Sequence, residues 1–185
     1  MRIIAGSRRS LPLKTIAGTD TRPTTDRIKE TLFNMLQEEV AGSYVLDLYA
    51  GSGQIGLEAL SRGASYAVFV ENAKKAADCI ADNIRFTKFE EQTNLMRTDA
   101  ISAIARLEGR NRFDLIFLDP PYESGAEVQA LTCLSGSSVM KPETLIIVEA
   151  ARDTDFSYAE GLGLTLVRQK QYKTNQHVFF RKKEA

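Results

Sequence analysis

Between residues 44 and 149 the apolar positions follow two rhythms in turn. Tyr44 to Ala50, Tyr66 to Glu71, Thr93 to Thr98, Phe113 to Leu118 and Thr144 to Glu149 are short, largely apolar runs. Their length and aliphatic and aromatic content suit strands of a sheet covered on both faces. Between them, apolar residues recur at helical spacing: Leu57 and Leu60, then Ala76, Ala77, Ile80 and Ile84 within Ala73 to Phe86, then Ile101 to Leu107 and Ala126 to Leu134. Strand and helix alternating in this way predict a mostly parallel sheet with helices on both faces, a Rossmann-like α/β fold. After residue 149 the rhythm changes. Leu162 to Lys170 and His177 to Lys182 are separated only by a short stretch around Tyr172 to Gln176, with no room for a crossover helix, so they read as an antiparallel pair extending one edge.

Upstream, Ile28, Leu32, Phe33, Leu36 and Val40 mark a helix that opens behind Thr21, Arg22, Pro23, Thr24 and Thr25 and stops at Gly42. Ahead of it, Ile3, Ile4, Leu11, Leu13 and Ile16 are interleaved with Arg2, Arg8, Arg9 and Lys14 around a Gly6-Ser7 turn signal. That predicts a strand or hairpin with its basic side chains facing outward. The expected division is a basic β extension over residues 1–22 and one domain over residues 23–185.

Composition narrows the class without naming a task. A chain of 185 residues buries roughly 70% of its unfolded surface and needs no staple. Its 43% hydrophobic and 26% charged residues are those of an ordinary soluble domain. No apolar stretch approaches the ~20 residues that cross a bilayer, and nothing resembles a signal peptide, so a cytoplasmic protein without membrane contact is expected; a monomer is expected separately, since nothing in the sequence reports oligomeric state. Cys79 and Cys133 lie far apart and His177 is the only histidine, so no metal cluster is expected and the cysteines read as core residues. A net charge of zero hides an asymmetry: residues 1–30 carry seven Lys or Arg against three Asp or Glu, residues 168–185 six against one, and the middle eleven against twenty. Basic ends on an acidic body fit a polyanionic partner touching the termini.

The chemistry concentrates at two strand ends. The run FDLIFL stops at Asp119, Pro120, Pro121 and Tyr122, where two prolines force the chain out of the sheet with a carboxylate, a rigid carbonyl and an aromatic ring. Asp119 and the Pro120 carbonyl can each accept one N-H of a planar exocyclic amine, and Tyr122 can stack on its base. The strand YVLDLYA is followed by Gly51, Ser52, Gly53, Gln54, Ile55 and Gly56 and then a helix, which suits close approach of backbone to a nucleotide-like ligand. Glu71 follows Gly51 by 20 residues and can hold a ribose. Asp99 either reads an adenine or caps the helix after it. In a doubly wound sheet both ends meet at the switch point. A nicotinamide oxidoreductase fits the glycines and Glu71 but leaves Asp119 to Tyr122 without a task, and a DNA adenine-N6 methyltransferase would use the same tetrapeptide.

With these residues in view, the sequence resembles the class I S-adenosylmethionine-dependent methyltransferases, and within them the RsmD family of 16S rRNA guanine-N2 methyltransferases. The resemblance rests on Arg2-Ile3-Ile4-Ala5-Gly6, Thr21-Arg22-Pro23-Thr24 with Asp26-Arg27 and Leu32-Phe33-Asn34, Asp47 with Gly51-Ser52-Gly53, and Asp119-Pro120-Pro121-Tyr122. It departs at Gln54, where the family has a small residue, and at Arg8-Arg9-Ser10. It implies a seven-stranded sheet with one antiparallel strand and S-adenosylmethionine bound over Ala50, Gly51, Ser52 and Gly53, near Asp47 and Asp119. It further implies that Glu71 and Asn72 lie at the ribose, that Asp99 and Ala100 lie at the adenine, and that no metal takes part. Asp119, Pro120, Pro121 and Tyr122 would then act on the N2 amine of guanine 966 in 16S rRNA, within a partly assembled small subunit. Arg2, Arg8, Arg9, Lys14, Arg22 and Arg27 would contact the RNA.

Overall fold

The computed structural model describes residues 1–16, 25–122 and 124–183. Its centre is one seven-stranded sheet in the order β3-β2-β1-β4-β5-β7-β6. The strands are β1 (Tyr44–Leu48), β2 (Tyr66–Val70), β3 (Thr93–Met96), β4 (Phe113–Leu118), β5 (Met140–Ala151), β6 (Leu164–Gln171) and β7 (Asn175–Lys182). The first five are parallel neighbours, and β7 alone runs against them, inserted between β5 and β6. The expected Rossmann-like sheet with one antiparallel strand is therefore the observed one. The helices are α1 (Asp26–Met35), α2 (Gln37–Val40), α3 (Gln54–Ser61), α4 (Lys74–Thr87), α5 (Ala100–Leu107) and α6 (Ala126–Ser135).

Two apolar clusters sandwich the sheet. One joins Leu46, Val68, Ile116, Ile146 and Val178 to Ile104 of α5 and Leu131 of α6. The other joins Val45, Phe69, Phe117, Ile147 and Phe179 to Phe33 of α1, Leu57 of α3 and Ile80 of α4. Alternate residues of each strand serve opposite clusters, which is why the runs are apolar throughout instead of alternating.

Three boundaries differ from the sequence reading. The first helix breaks at Leu36 (φ −102°, ψ 8°), so Phe33, Leu36 and Val40 bury from two short helices. Strand β5 begins four residues before the apolar run because Met140 pairs with Phe113 ahead of an irregularity in the register. At the N-terminus, residues 1–16 form a tight loop closed by the Arg2–Pro12 bridge and by backbone bonds from Ile3 to Leu11 and from Ser10 to Ile3.

That N-terminal loop is pinned by buried charge. Glu58 of α3 accepts the N-H of Ile4 (2.8 Å) and Ala5 (3.1 Å), and faces Lys29 of α1 at 3.6 Å and Arg62 at 2.8 Å, with Glu58 and Lys29 fully buried. Lys29 also donates to the Arg2 carbonyl. Gly6 presses so closely on α3 that a Cβ there would lie 1.7 Å from the Ser61 carbonyl oxygen, and its φ of +84° itself favours glycine.

Candidate active site

The site is assembled at the C-terminal ends of β1, β2, β4 and β5. Strand β1 leaves the sheet at Tyr49, a non-glycine residue in the left-handed region (φ 61°), and the chain then turns through Gly51 (φ 59°) and Gly53 (φ 80°) into α3. A side chain at Gly51 would meet nothing within 4 Å, so the loop is open on its ligand side. Gly56, by contrast, is a packing glycine: a Cβ there would lie 2.3 Å from the Phe69 ring, and its absence lets α3 lie close on the sheet. Gly53 gives α3 no side-chain cap, and of the first-turn N-H groups that of Gly56 is taken by Asp47, so an incoming group would meet the turn ahead of Gly56.

Two carboxylates brace this loop. Asp47 is buried on β1 and accepts the Gly56 N-H at 3.0 Å. Burial pushes its carboxyl up to about 7, against the bond from Gly56, with Glu71 adding a smaller push in the same direction as burial. Glu71, just past β2, accepts the N-H of Gly51 (3.0 Å) with one oxygen and of Ala73 (2.8 Å) with the other. Each oxygen keeps a lone pair for a hydroxyl. Ser52 is buried and its carbonyl accepts from Asn83 of α4 (3.0 Å); Ala50 is buried beside it, while Asn72 is exposed. Asp99 is the N-cap of α5, accepting the Ser102 N-H at 2.9 Å, a bond that holds its carboxyl below the usual range, and Ala100 is the first residue of that helix.

These residues fit a nucleoside carrying a cationic group. The glycines leave room for it, and Glu71 has acceptor capacity for a ribose. Gln54 Oε1, at the start of α3, is buried with no partner, so a donor group arriving there would satisfy it.

Asp119 stands at the end of β4, beside β1 in the sheet. Solvent reaches it, yet protein surrounds it on most sides, and its carboxyl is raised well above the usual range first by desolvation, then by Glu149 and Asp47. Pro120 is buried and Pro121 exposed; the Pro121 carbonyl accepts the Ser124 hydroxyl at 2.6 Å, shaping the turn. The Tyr122 ring is half exposed.

Glu149 was not singled out from sequence, although it follows the apolar run LIIV as Glu71 follows AVFV. It comes directly after Val148, the register partner of Leu118, and so stands next to Asp119. His177 Nε2 lies 3.2 Å from Glu149 Oε2 and Asn175 donates to Oε1 at 2.8 Å. Tyr49 was also missed, since nothing in a sequence marks a tyrosine for positive φ.

The basic residues expected to face outward divide. Arg2 pairs with Asp26 (3.1 Å) and Lys14 with Asp82 (2.7 Å). Arg8 is half-buried, donating to the Thr87 carbonyl (2.7 Å) with its guanidinium 5.1 Å from the Phe89 ring centroid. The outward-facing expectation fails for Arg8, because an aromatic face and an α4 carbonyl outcompete water for a guanidinium. Arg9 and Arg27 are exposed. Arg22, with Thr21, Pro23 and Thr24, lies outside the described residues.

A cleft of about 800 Å³ opens elsewhere, between α1–α2 and the sheet, lined by Met35, Glu38, Leu145, Val167, Phe179 and Arg181 among others. It contains none of the residues above, and its residues carry no cluster suited to catalysis.

Comparison with known proteins adds to this geometry. A family model described as conserved hypothetical protein 95 matches residues 1–181. The Haemophilus influenzae protein named ribosomal RNA small subunit methyltransferase D is 36% identical, over 92% of this chain and 88% of its own. YlbH of Bacillus subtilis, described as a candidate rRNA methyltransferase, is 35% identical over 99% of this chain and 100% of its own. Among solved structures, yhhF of Escherichia coli, described as a candidate methyltransferase, matches with a TM-score of 0.84 at 29% identity, over 100% of this chain and 99% of its own. The sheet is a Rossmann-like methyltransferase fold.

Proposed function

The chain belongs to the RsmD family, whose model is described as conserved hypothetical protein 95, and from that membership we propose that it methylates the exocyclic N2 amine of a guanine in 16S rRNA. By family resemblance the target is guanine 966. The observation that carries the reading is the adjacency of β1 and β4, which sets Asp119 beside the glycine loop.

When bound, S-adenosylmethionine supplies a methyl group activated on a sulfonium and leaves as S-adenosylhomocysteine. The protein's work is positional. Gly51, Ser52 and Gly53 admit the donor, Glu71 accepts from its ribose, and Asp99 with Ala100 borders its adenine. Asp119 and the Pro120 carbonyl would each accept one N-H of the amine and so keep its nitrogen lone pair directed at the methyl group the donor would supply. As the nitrogen becomes cationic, Asp119 stabilises it and takes its proton. Tyr122 stacks on the guanine. Because N2 faces the minor groove of a helix, the base enters from a loop or after swinging out.

Exposed Arg9 and Arg27, with Arg22, grip flanking phosphates. So short a set of contacts reads little sequence, so a partly assembled small subunit in the cytoplasm supplies the rest of the recognition.

The test is transfer of labelled methyl from S-adenosylmethionine to small-subunit particles and to naked 16S rRNA from cells lacking the protein, followed by digestion to nucleosides. Label in N2-methylguanosine that disappears with Asp119→Ala is the expected result. Label in N6-methyladenosine of DNA would replace the substrate, and label in no nucleic acid would overturn the reading.

A further inference from the structure

Behind Asp119 lies a polar chain that the reaction above does not use. Alternation along the strands puts Asp119, Glu149 and His177 at one level on one face: Phe117, Ile147 and Phe179 share the apolar cluster one step below, and Glu149 is the register partner of His177. His177 is 1% exposed and the side chain of Glu149 only 13%. Glu149 is gripped at both oxygens, by Asn175 Nδ2 at 2.8 Å and by His177 Nε2 at 3.2 Å. The other imidazole nitrogen, Nδ1, lies 3.1 Å from the Tyr172 hydroxyl, and the two rings meet edge to face at 5.2 Å.

One tautomer satisfies the chain. Burial first, then Glu149, pushes the Tyr172 hydroxyl up to about 12, so it keeps its proton and donates to Nδ1. The imidazole N-H is then on Nε2 and donates to Glu149. Glu149 is thereby held in one orientation from behind, one bond to each oxygen, next to Asp119.

We propose that Glu149, clamped by His177, Tyr172 and Asn175 next to Asp119, is a positioning residue that equips Asp119 to take the proton released from the methylated amine. This rests on the reading in the preceding subsection and deepens it. The balance closes. The nitrogen lone pair forms the N-C bond and the S-C pair returns to sulfur, giving a neutral thioether. The cationic amine gives its proton to the Asp119 carboxylate, which later releases it to water, leaving a neutral methylated amine. Among the described residues, the titratable groups around Asp119 are Asp47 from β1 and Glu149 from β5, with His177 and Tyr172 behind Glu149 and Lys170 of β6 in register with His177. Of the first two, only Glu149 has its carboxylate held by side chains from β7.

The decisive measurement is the carbon-13 NMR titration of the Asp119 side-chain carboxyl in the intact protein, assigned by its loss in Asp119→Asn. A midpoint well above the ordinary carboxylate range is expected in the wild type, falling by about one pH unit or more in the isosteric Glu149→Gln variant. His177→Gln, which keeps the Glu149 charge but loosens its hold, should move the midpoint by less. The acid limb of kcat/KM for methyl transfer should shift toward lower pH by the same amount in Glu149→Gln, a change that a merely structural role would not produce. A wild-type midpoint in the ordinary range, or one that Glu149→Gln leaves in place, overturns the inference, and the first of these does not depend on whether Glu149→Gln folds. Absence of transfer by the wild type overturns the functional reading instead, and the titration still decides this one.

Discussion

Glu58 and Asp119 are both acids crowded by protein, and their surroundings are opposites. Glu58 has two cations and two backbone N-H groups converging on it, and it ties the N-terminal loop, α1 and α3 into one block. Asp119 has two further carboxylates as its neighbours, Glu149 and Asp47. Compensated charge is fastening: it does its job in the free protein and asks for nothing more. Like charges gathered at a strand edge are held there at a cost, and such a cost persists where a ligand's charge relieves it. Lys29 shows how close even the fastened region runs to balance, since burial lowers its pKa despite Glu58 beside it.

The contrast is broken most directly by exchanging the roles of stability and activity. Asp119→Asn should cut methyl transfer by about 10² to 10⁴-fold, while its thermal midpoint stays level or rises as a like charge is removed. Glu58→Ala should do the reverse, losing roughly 3 to 5 kcal/mol of stability in urea titrations because Lys29 is left buried and unpaired. If Glu58→Ala folds as well as the wild type, the fastening view fails.

A second comparison uses pH. Asp47 is raised to about 7 in the folded protein from about 4 when unfolded. The folded state therefore binds the extra proton between those values, and stability falls as pH rises from about 4 to about 7, then levels off. Asp47→Asn keeps an acceptor for the Gly56 N-H and should remove a loss on the order of 4 kcal/mol at pH 8, with little gain at pH 4. Urea midpoints at the two pH values check this.

Smaller effects sharpen the same contrast in the N-terminal loop. Gly6→Ala should cost roughly 1 to 3 kcal/mol, because the backbone at Ser61 cannot yield as a flexible side chain would; the cost should appear as easier proteolysis of residues 1–16. Arg9→Ala should lower the salt-dependence slope of RNA binding by about 0.7, whereas Lys14→Ala, whose amine is already engaged by Asp82, should move it less.

What could be read in advance follows from how local each signal is. The glycine loop, the strand ending at Asp119 and the acid at Glu71 are each written in a dozen neighbouring residues, and the strand order follows once helices alternate with strands. Glu58 was illegible for the opposite reason. An acid in an amphipathic helix reads as solvent-facing, and the partners that bury it come from α1 and from a loop more than fifty residues away. Arg8 is the same case, its guanidinium resting on Phe89 from a distant turn. Glu149 could have been found, since it ends an apolar strand as Glu71 does; its importance depends on register with Asp119, which sequence does not print. Strand β5 is longer than the apolar pattern predicts because Lys141 and Glu143 interrupt the apolar run while pairing extends back to Met140.

The insertion of β7 between β5 and β6 also bears on the order in which this molecule is made. A ribosome releases the strands in chain order, so a nascent chain exposes the glycine loop, Asp119 and Glu149 before the strand that carries Asn175 and His177. Until β7 slides into its slot, β5 is an open edge and Glu149 has neither of those partners. One strand thus acts as a keystone, filling the slot between β5 and β6 and carrying the Asn175 and His177 that hold Glu149.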